Sequence, residues 1–139
     1  MENSQAINVE EIFTDLIGNF KGILSWQWDD RFKTILAQFE IAEKETIENV
    51  LNRFMNISWN SENLSEAPEA IQNIISCLGG LMPEQLLLSS NPDKDALLYC
   101  AWWPWGNGQT ISIRVAPSIN NVGENEKNEL LETLKKLVS

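Results

Sequence analysis

Residues 97–105, Leu-Leu-Tyr-Cys-Ala-Trp-Trp-Pro-Trp, restrict the fold more than any other stretch of the chain. An extended strand sends successive side chains to opposite faces. Here both sets are apolar: Leu98, Cys100 and Trp102 on one side, Leu97, Tyr99, Ala101 and Trp103 on the other. An antiparallel sheet usually leaves one face wet and polar, so a strand that is apolar on both sides needs cover on both. The chain therefore reads as a layered protein of sheet and helices.

A partner strand follows at once. In Gly-Gln-Thr-Ile-Ser-Ile-Arg-Val-Ala-Pro, Ile111, Ile113 and Val115 alternate with Thr110, Ser112 and Arg114. The intervening residues suit a two-residue loop at Gly106-Asn107 or a four-residue loop over 105–108. Either loop places Trp102 opposite Ile111, Cys100 opposite Ile113 and Leu98 opposite Val115. That face packs against the chain's own helices. The other face sets Tyr99, Ala101 and Trp103 opposite Arg114, Ser112 and Thr110, and with Leu97 it forms an apolar patch. Two covers fit it: the protein's own helices, or a partner or second subunit. Pro104 has no N–H for a ladder, so it marks a strand end or sheet edge and leaves Trp105 at the rim. Leu97, Tyr99, Trp103, Trp105 and Arg114 are thus the candidate partner-binding residues. A stacking platform for a sugar or small ligand is a third use, but few polar groups converge there.

Periodicity supplies the other elements. Asn8 and Glu11 form a capping pattern before Val9, Ile12, Phe13, Leu16, Ile17 and Phe20, a helix ending over residues 18–22. Residues 22–41 read as a hairpin about Asp29-Asp30, with Ile35, Ala37, Phe39 and Ile41 on one face. A two-residue turn pairs Trp26 with Lys33; a three-residue turn pairs Trp28 with Phe32. From Ala42 the period becomes helical, with Ile47, Val50, Leu51 and Phe54 together, as far as Asn56. A polar loop follows that carries Trp59 outward or tucks it inward. Pro68 opens another helix bearing Ile71, Ile74, Ile75 and Leu78, stopped by Gly79-Gly80. A strand before a turn at residues 91–94, and a terminal helix with Leu130, Leu131, Leu134, Leu137 and Val138, complete the pattern. The prediction is an α+β fold: an antiparallel sheet of about five strands, a hairpin and then a three-stranded meander, packed with N-terminal, central and C-terminal helices. At 139 residues one domain is expected, with residues 1–7 and 57–66 mobile.

The chain contains no histidine, which removes histidine-activated nucleophiles, histidine-ligated metals and imidazole acid–base chemistry together. Asp29-Asp30 is the one adjacent aspartate pair and reads as a turn former. Gly-Asn-Gly lacks the third glycine of a dinucleotide fingerprint. The glutamates after Phe39 recur at helical spacing, without the aspartate ladder of a calcium loop. Cys77 and Cys100 read as buried free thiols. No catalytic, cofactor or metal site is assigned, and none of these chemistries predicts an enzyme.

Twenty acidic against ten basic side chains give a formal charge of -10, which repels nucleic acid and anionic membranes. With no apolar run long enough to span a bilayer and no basic leader, the expected location is cytoplasmic. Glu43, Glu45, Glu48, Glu62, Glu66 and Glu69 carry much of the excess; they form solvated helix faces or a surface that steers a basic protein partner.

The order helix, hairpin, helical segment, three strands, helix resembles the roadblock-type, dynein-light-chain-like domains. Residues 66–103 look like the central-helix, strand and strand passage of that family. The resemblance implies a five-stranded sheet with the central helix on one face and the terminal helices on the other, homodimers, and a non-catalytic scaffold role, often for small GTPases. The segment 42–64 and the tryptophan content depart from it. Secretion chaperones, small acidic dimers that bind unfolded effector segments, are a second likeness; they usually place three strands before the middle helix, and two are read here. The predicted function is a protein-interaction module, homodimeric, with an inhibitor or immunity protein and a secretion-chaperone-like protein as the alternatives.

Overall fold

The computed structural model describes residues 4–93, 96–119 and 123–138. Its helices are α1 (Ser4–Asn19), α2 (Lys44–Leu51), α3 (Glu69–Cys77) and α4 (Glu124–Leu137). Strands β1 (Gln27–Asp29), β2 (Thr34–Glu40), β3 (Ile57–Trp59), β4 (Leu86–Ser89), β5 (Ala96–Pro104) and β6 (Thr110–Ile119) form one sheet. They pair antiparallel in the order β1-β2-β6-β5-β4-β3. The fold is α+β, with six strands where the sequence predicts about five.

The sheet separates two cores. On its first face Ile35, Ala37, Phe39, Leu88, Leu98, Cys100, Trp102, Ile111, Ile113 and Val115 meet α1 through Val9, Phe13 and Leu16, α2 through Ile47 and Leu51, and α4 through Leu130 and Leu134. Phe13, Leu16, Ile47 and Leu51 are fully buried, each worth about 1.5–3 kcal/mol relative to exposure. On the second face Leu87, Leu97 and Ala101 meet Ile71, Ile74, Ile75 and Leu78, from α3 and its C-terminal turn. That helix ends as predicted at Gly79-Gly80. Gly80 N–H donates to the Ile75 carbonyl at 2.9 Å and Gly79 N–H to that of Ser76 at 3.1 Å. Both glycines have positive φ, 93° and 101°, a conformation that costs glycine nothing sterically.

Four expectations change. The first is β3, which lies in a segment read as loop because polar residues surround it. Its pairing with β4 makes it a strand, and Trp59 Nε1 donates to Ser89 Oγ at 3.0 Å. The next turn is built by Asn60 Oδ1, which accepts from the N–H groups of Glu62 and Asn63. The segment 57–66, expected to be mobile, is therefore structured. The second is α1, which begins at Ser4 and so contains Asn8 instead of being capped by it; Gln5 and Ala6 are good helix formers and carry the helix further. Residues 1–3 lie outside the described residues.

The third is the hairpin. Asp29 pairs with Thr34 and Trp28 with Ile35, so four residues, 30–33, make the connection. Asp29 Oδ1 accepts from Arg31 N–H at 3.2 Å and Lys33 takes a left-handed φ of 59°, which turns the chain back into β2. The fourth is the β5–β6 register: Trp102 pairs with Ile113, Cys100 with Val115 and Leu98 with Pro117. The loop occupies residues 106–109, closed by Trp105 N–H donating to the Thr110 carbonyl at 2.8 Å and by Asn107 Oδ1 accepting from Gln109 and Thr110. The shift is two residues, and an even shift keeps every side chain on its predicted face.

Candidate functional site

Helix α3 covers only part of the second face. The hydrophobic side chains packed with it come from β3, β4, β5 and Phe32 in the 30–33 loop, and only the end of β6 lies beside it, where Ala116 and Pro117 line a cavity with Ile74 and Cys77. Across the open half the register aligns Leu36, Arg114 and Ala101 in one row and Gln38, Ser112 and Trp103 in the next. Arg114, central on β6, is where the site organises.

Arg114 Nε donates to Asp29 Oδ2 at 2.8 Å, across the sheet from β6 to β1. Its guanidinium carbon stands 4.5 Å from the centroid of Trp103 and 5.3 Å from that of Phe32. The two rings meet edge to face at 5.7 Å, and Arg31 stacks on Phe32 at 4.8 Å. Attraction between a guanidinium and an aromatic face is strongest where water is partly excluded, as it is at Arg114, whose side chain is only 16% exposed and whose ion-pair partner Asp29 is 11% exposed. Two residues beyond Trp103, Trp105 folds back over the sheet and donates from Nε1 to Ser112 Oγ at 2.6 Å.

The aspartate pair builds the loop that holds Phe32. Asp30 Oδ1 accepts from Lys33 Nζ at 2.9 Å and from Trp28 Nε1 at 3.3 Å. The Lys33 and Trp28 hydrogen bonds and the Lys33 charge hold the Asp30 carboxyl below its ordinary pKa. Both carboxylates of the pair are thus engaged in turn and cross-sheet hydrogen bonds.

The candidate residues divide. Leu97 is buried beneath α3, and Tyr99 is largely so. Trp103 and Arg114 are half-buried in the stack, and Trp105 is 44% exposed at the rim. The aromatic face is therefore covered by the chain's own helix over Leu97 and Ala101; Trp103 and Phe32 pack at the margin of that cluster, and exposure rises toward Trp105 and Gln38. Asp29, Arg31, Phe32 and Ser112 belong to the site without having been singled out, because their roles depend on a register that sequence patterning leaves free by steps of two.

Burial raises the Tyr99 hydroxyl to about 12, with the nearby Cys77 adding to the effect. Tyr99 lines a cavity of about 500 Å³ between α3, α4 and the end of β6, together with Cys77, Ile74, Pro117 and Leu131; no tryptophan lines it. Cys77 is exposed, contrary to expectation, because Ile74, Ile75 and Leu78 take the inward side of α3. Cys100 is buried as a free thiol, its pKa pushed up by burial. The acidic residues are also divided. Glu43, Glu45 and Glu48 accompany α2 on the first face, whereas Glu66 and Glu69 lie at the start of α3 on the second, with Glu62 in the preceding loop.

Among the described residues no helix is long and apolar enough to cross a membrane, and no group of three or more acidic or cysteine side chains converges as a metal site would. Comparison with protein-family models, curated proteins and solved structures gives no match for this chain. The reading of function rests on the site itself.

Proposed function

We propose that this chain is a non-enzymatic protein-interaction module, an adaptor or homodimeric scaffold whose contact surface is the open half of the second sheet face, with Trp103, Trp105, Arg114 and Phe32 at its centre. One observation carries the reading: no hydrophobic side chain of β1, β2 or β6 joins the cluster under α3, and Trp105 and Arg31 stand exposed beside the Arg114 stack at its margin. Tryptophan and arginine are the residues that most often anchor protein interfaces, since they offer large contact area with few degrees of freedom to lose. The absence of histidine supports a role without catalysis. The placement of α3 on one face and of α1 and α4 on the other supports a roadblock-like scaffold, although α3 is only nine residues long.

The test is molar mass by light scattering over a wide concentration range, with partner binding measured beside it, for the wild type and for Trp105→Ala and Trp103→Ala. Loss of self-association or of partner binding in the variants is expected. If both variants match the wild type in each measurement while remaining folded, the surface is not the contact.

A second reading draws support from β3. With that strand, three strands precede α3, which is the order of the secretion chaperones. On this reading the module holds an unfolded segment of another protein, and protection of a chemically unfolded client from aggregation distinguishes it from a scaffold that binds folded partners.

A further inference from the structure

The open half-face has a charge that opposes the rest of the molecule. The chain carries -10, yet two guanidinium groups, those of Arg31 and Arg114, stack on the single ring of Phe32. Arg114 uses Nε for Asp29, and neither of its Nη groups is engaged by a described residue. Arg31 is exposed and forms no ion pair with a described residue. The neighbouring Lys33 is neutralised by Asp30 at 2.9 Å, so the unbalanced charge of the loop sits on Arg31. Stacking and the Asp29 bond fix the Arg114 plane, which lowers the ordering cost of receiving a planar anion.

We propose that this half-face takes an acidic segment of a protein partner, one carboxylate seated by the exposed Arg31 beside the Arg114 stack, and an adjacent apolar side chain resting on Trp103 and Trp105. This deepens the interaction-module reading and rests on it. The site selects for acid by local charge, while the overall charge of -10 disfavours acidic proteins that lack the matching apolar neighbour. Charge-assisted guanidinium–carboxylate bonds provide the orientation, and the indole faces provide the contact area.

The experiment is selection of a random twelve-residue peptide display library on the full chain. Enriched sequences are then remade as synthetic peptides and titrated by intrinsic tryptophan fluorescence against the wild type, Arg31→Glu and Trp105→Ala. Enriched peptides are expected to carry Asp or Glu next to an aromatic or aliphatic residue. Glu→Gln in the peptide, and Arg31→Glu in the protein, should each weaken binding at least tenfold, and higher salt should weaken the wild-type complex.

Enrichment of neutral or basic peptides, no enrichment, or equal binding by Arg31→Glu would overturn the acidic specificity. If such peptides still lose binding with Trp105→Ala, the interaction-module reading survives that failure; if Trp105→Ala is also without effect, both fail. Concentration-dependent doubling of mass that Arg31→Glu abolishes, without peptide binding, assigns the face to a second copy and overturns the acidic-partner proposal. Arg31 is exposed, so its substitution tests recognition without disturbing a core.

Discussion

Arg114 stacks on Trp103 with its guanidinium carbon 4.5 Å from the indole centroid. A cation on β6 and an aromatic on β5 thereby lock the centre of the open half-face, and Asp29 closes the arrangement from β1 at 2.8 Å. The ion pair is mostly buried, so removing one partner leaves the other poorly solvated.

Arg114→Ala and Asp29→Ala are each expected to destabilise the fold by about 1–3 kcal/mol. Because the two residues touch, the double variant should cost less than the sum, by at least about 0.5 kcal/mol. Urea denaturation of the four proteins measures this coupling, and strict additivity would show that the pair contributes nothing as a pair.

Trp105 and Ser112 form an asymmetric hydrogen bond: the serine is 6% exposed and the tryptophan 44%. Trp105→Phe leaves a buried hydroxyl without its partner, at a cost of about 1 kcal/mol or more. Ser112→Ala leaves an indole N–H that water can reach, so its cost should be smaller. Denaturant midpoints that rank the two variants the other way would contradict this bond geometry.

Leu97 was a candidate contact residue and is a core residue, 2% exposed beneath α3. Leu97→Ala should therefore lower stability by about 2–5 kcal/mol without changing partner affinity per folded molecule. Trp105→Ala should show the reverse pattern, a small stability loss and a large loss of binding. Thermal melts and titrations on the same samples separate the two.

Alkaline stability should follow Tyr99. Its folded pKa is raised from 10.0 to about 12 by burial, so between these values the unfolded chain gives up its proton first. Stability is then full below pH 10, falls as pH rises from there, and reaches its new level above about 12. The buried Cys100 thiol, also raised, adds a loss in the same direction, beginning lower, near the ordinary thiol pKa. Tyr99→Phe should flatten the part of the curve above pH 10. The readout is the urea midpoint from pH 8 to 12, and an unchanged slope in the variant would show that Tyr99 is not its source.

Much of the fold was legible because side-chain direction follows from parity and period alone. Trp102, Cys100 and Leu98 were assigned to one face and lie there, even though β6 slid two residues against β5. Ile71, Ile74, Ile75 and Leu78 were assigned the inner side of their helix and occupy it. The site was legible only in part. Trp103, Trp105 and Arg114 were singled out together, but Leu97 and Tyr99 could not be told from them until α3 had a position. Phe32, Arg31 and Asp29 entered only with the four-residue connection.

The sequence by itself determined which residues are apolar together and on which face of which element, and that the chain has no histidine and a formal charge of -10. Tertiary structure alone decided that Ile57–Trp59 is an edge strand, that α3 covers half a sheet face, and that Asp29 reaches Arg114 across 85 residues of chain. The division has a physical cause. Periodicity is a local property of the backbone, whereas pairing, cover and charge neutralisation depend on which distant segments arrive at the same place.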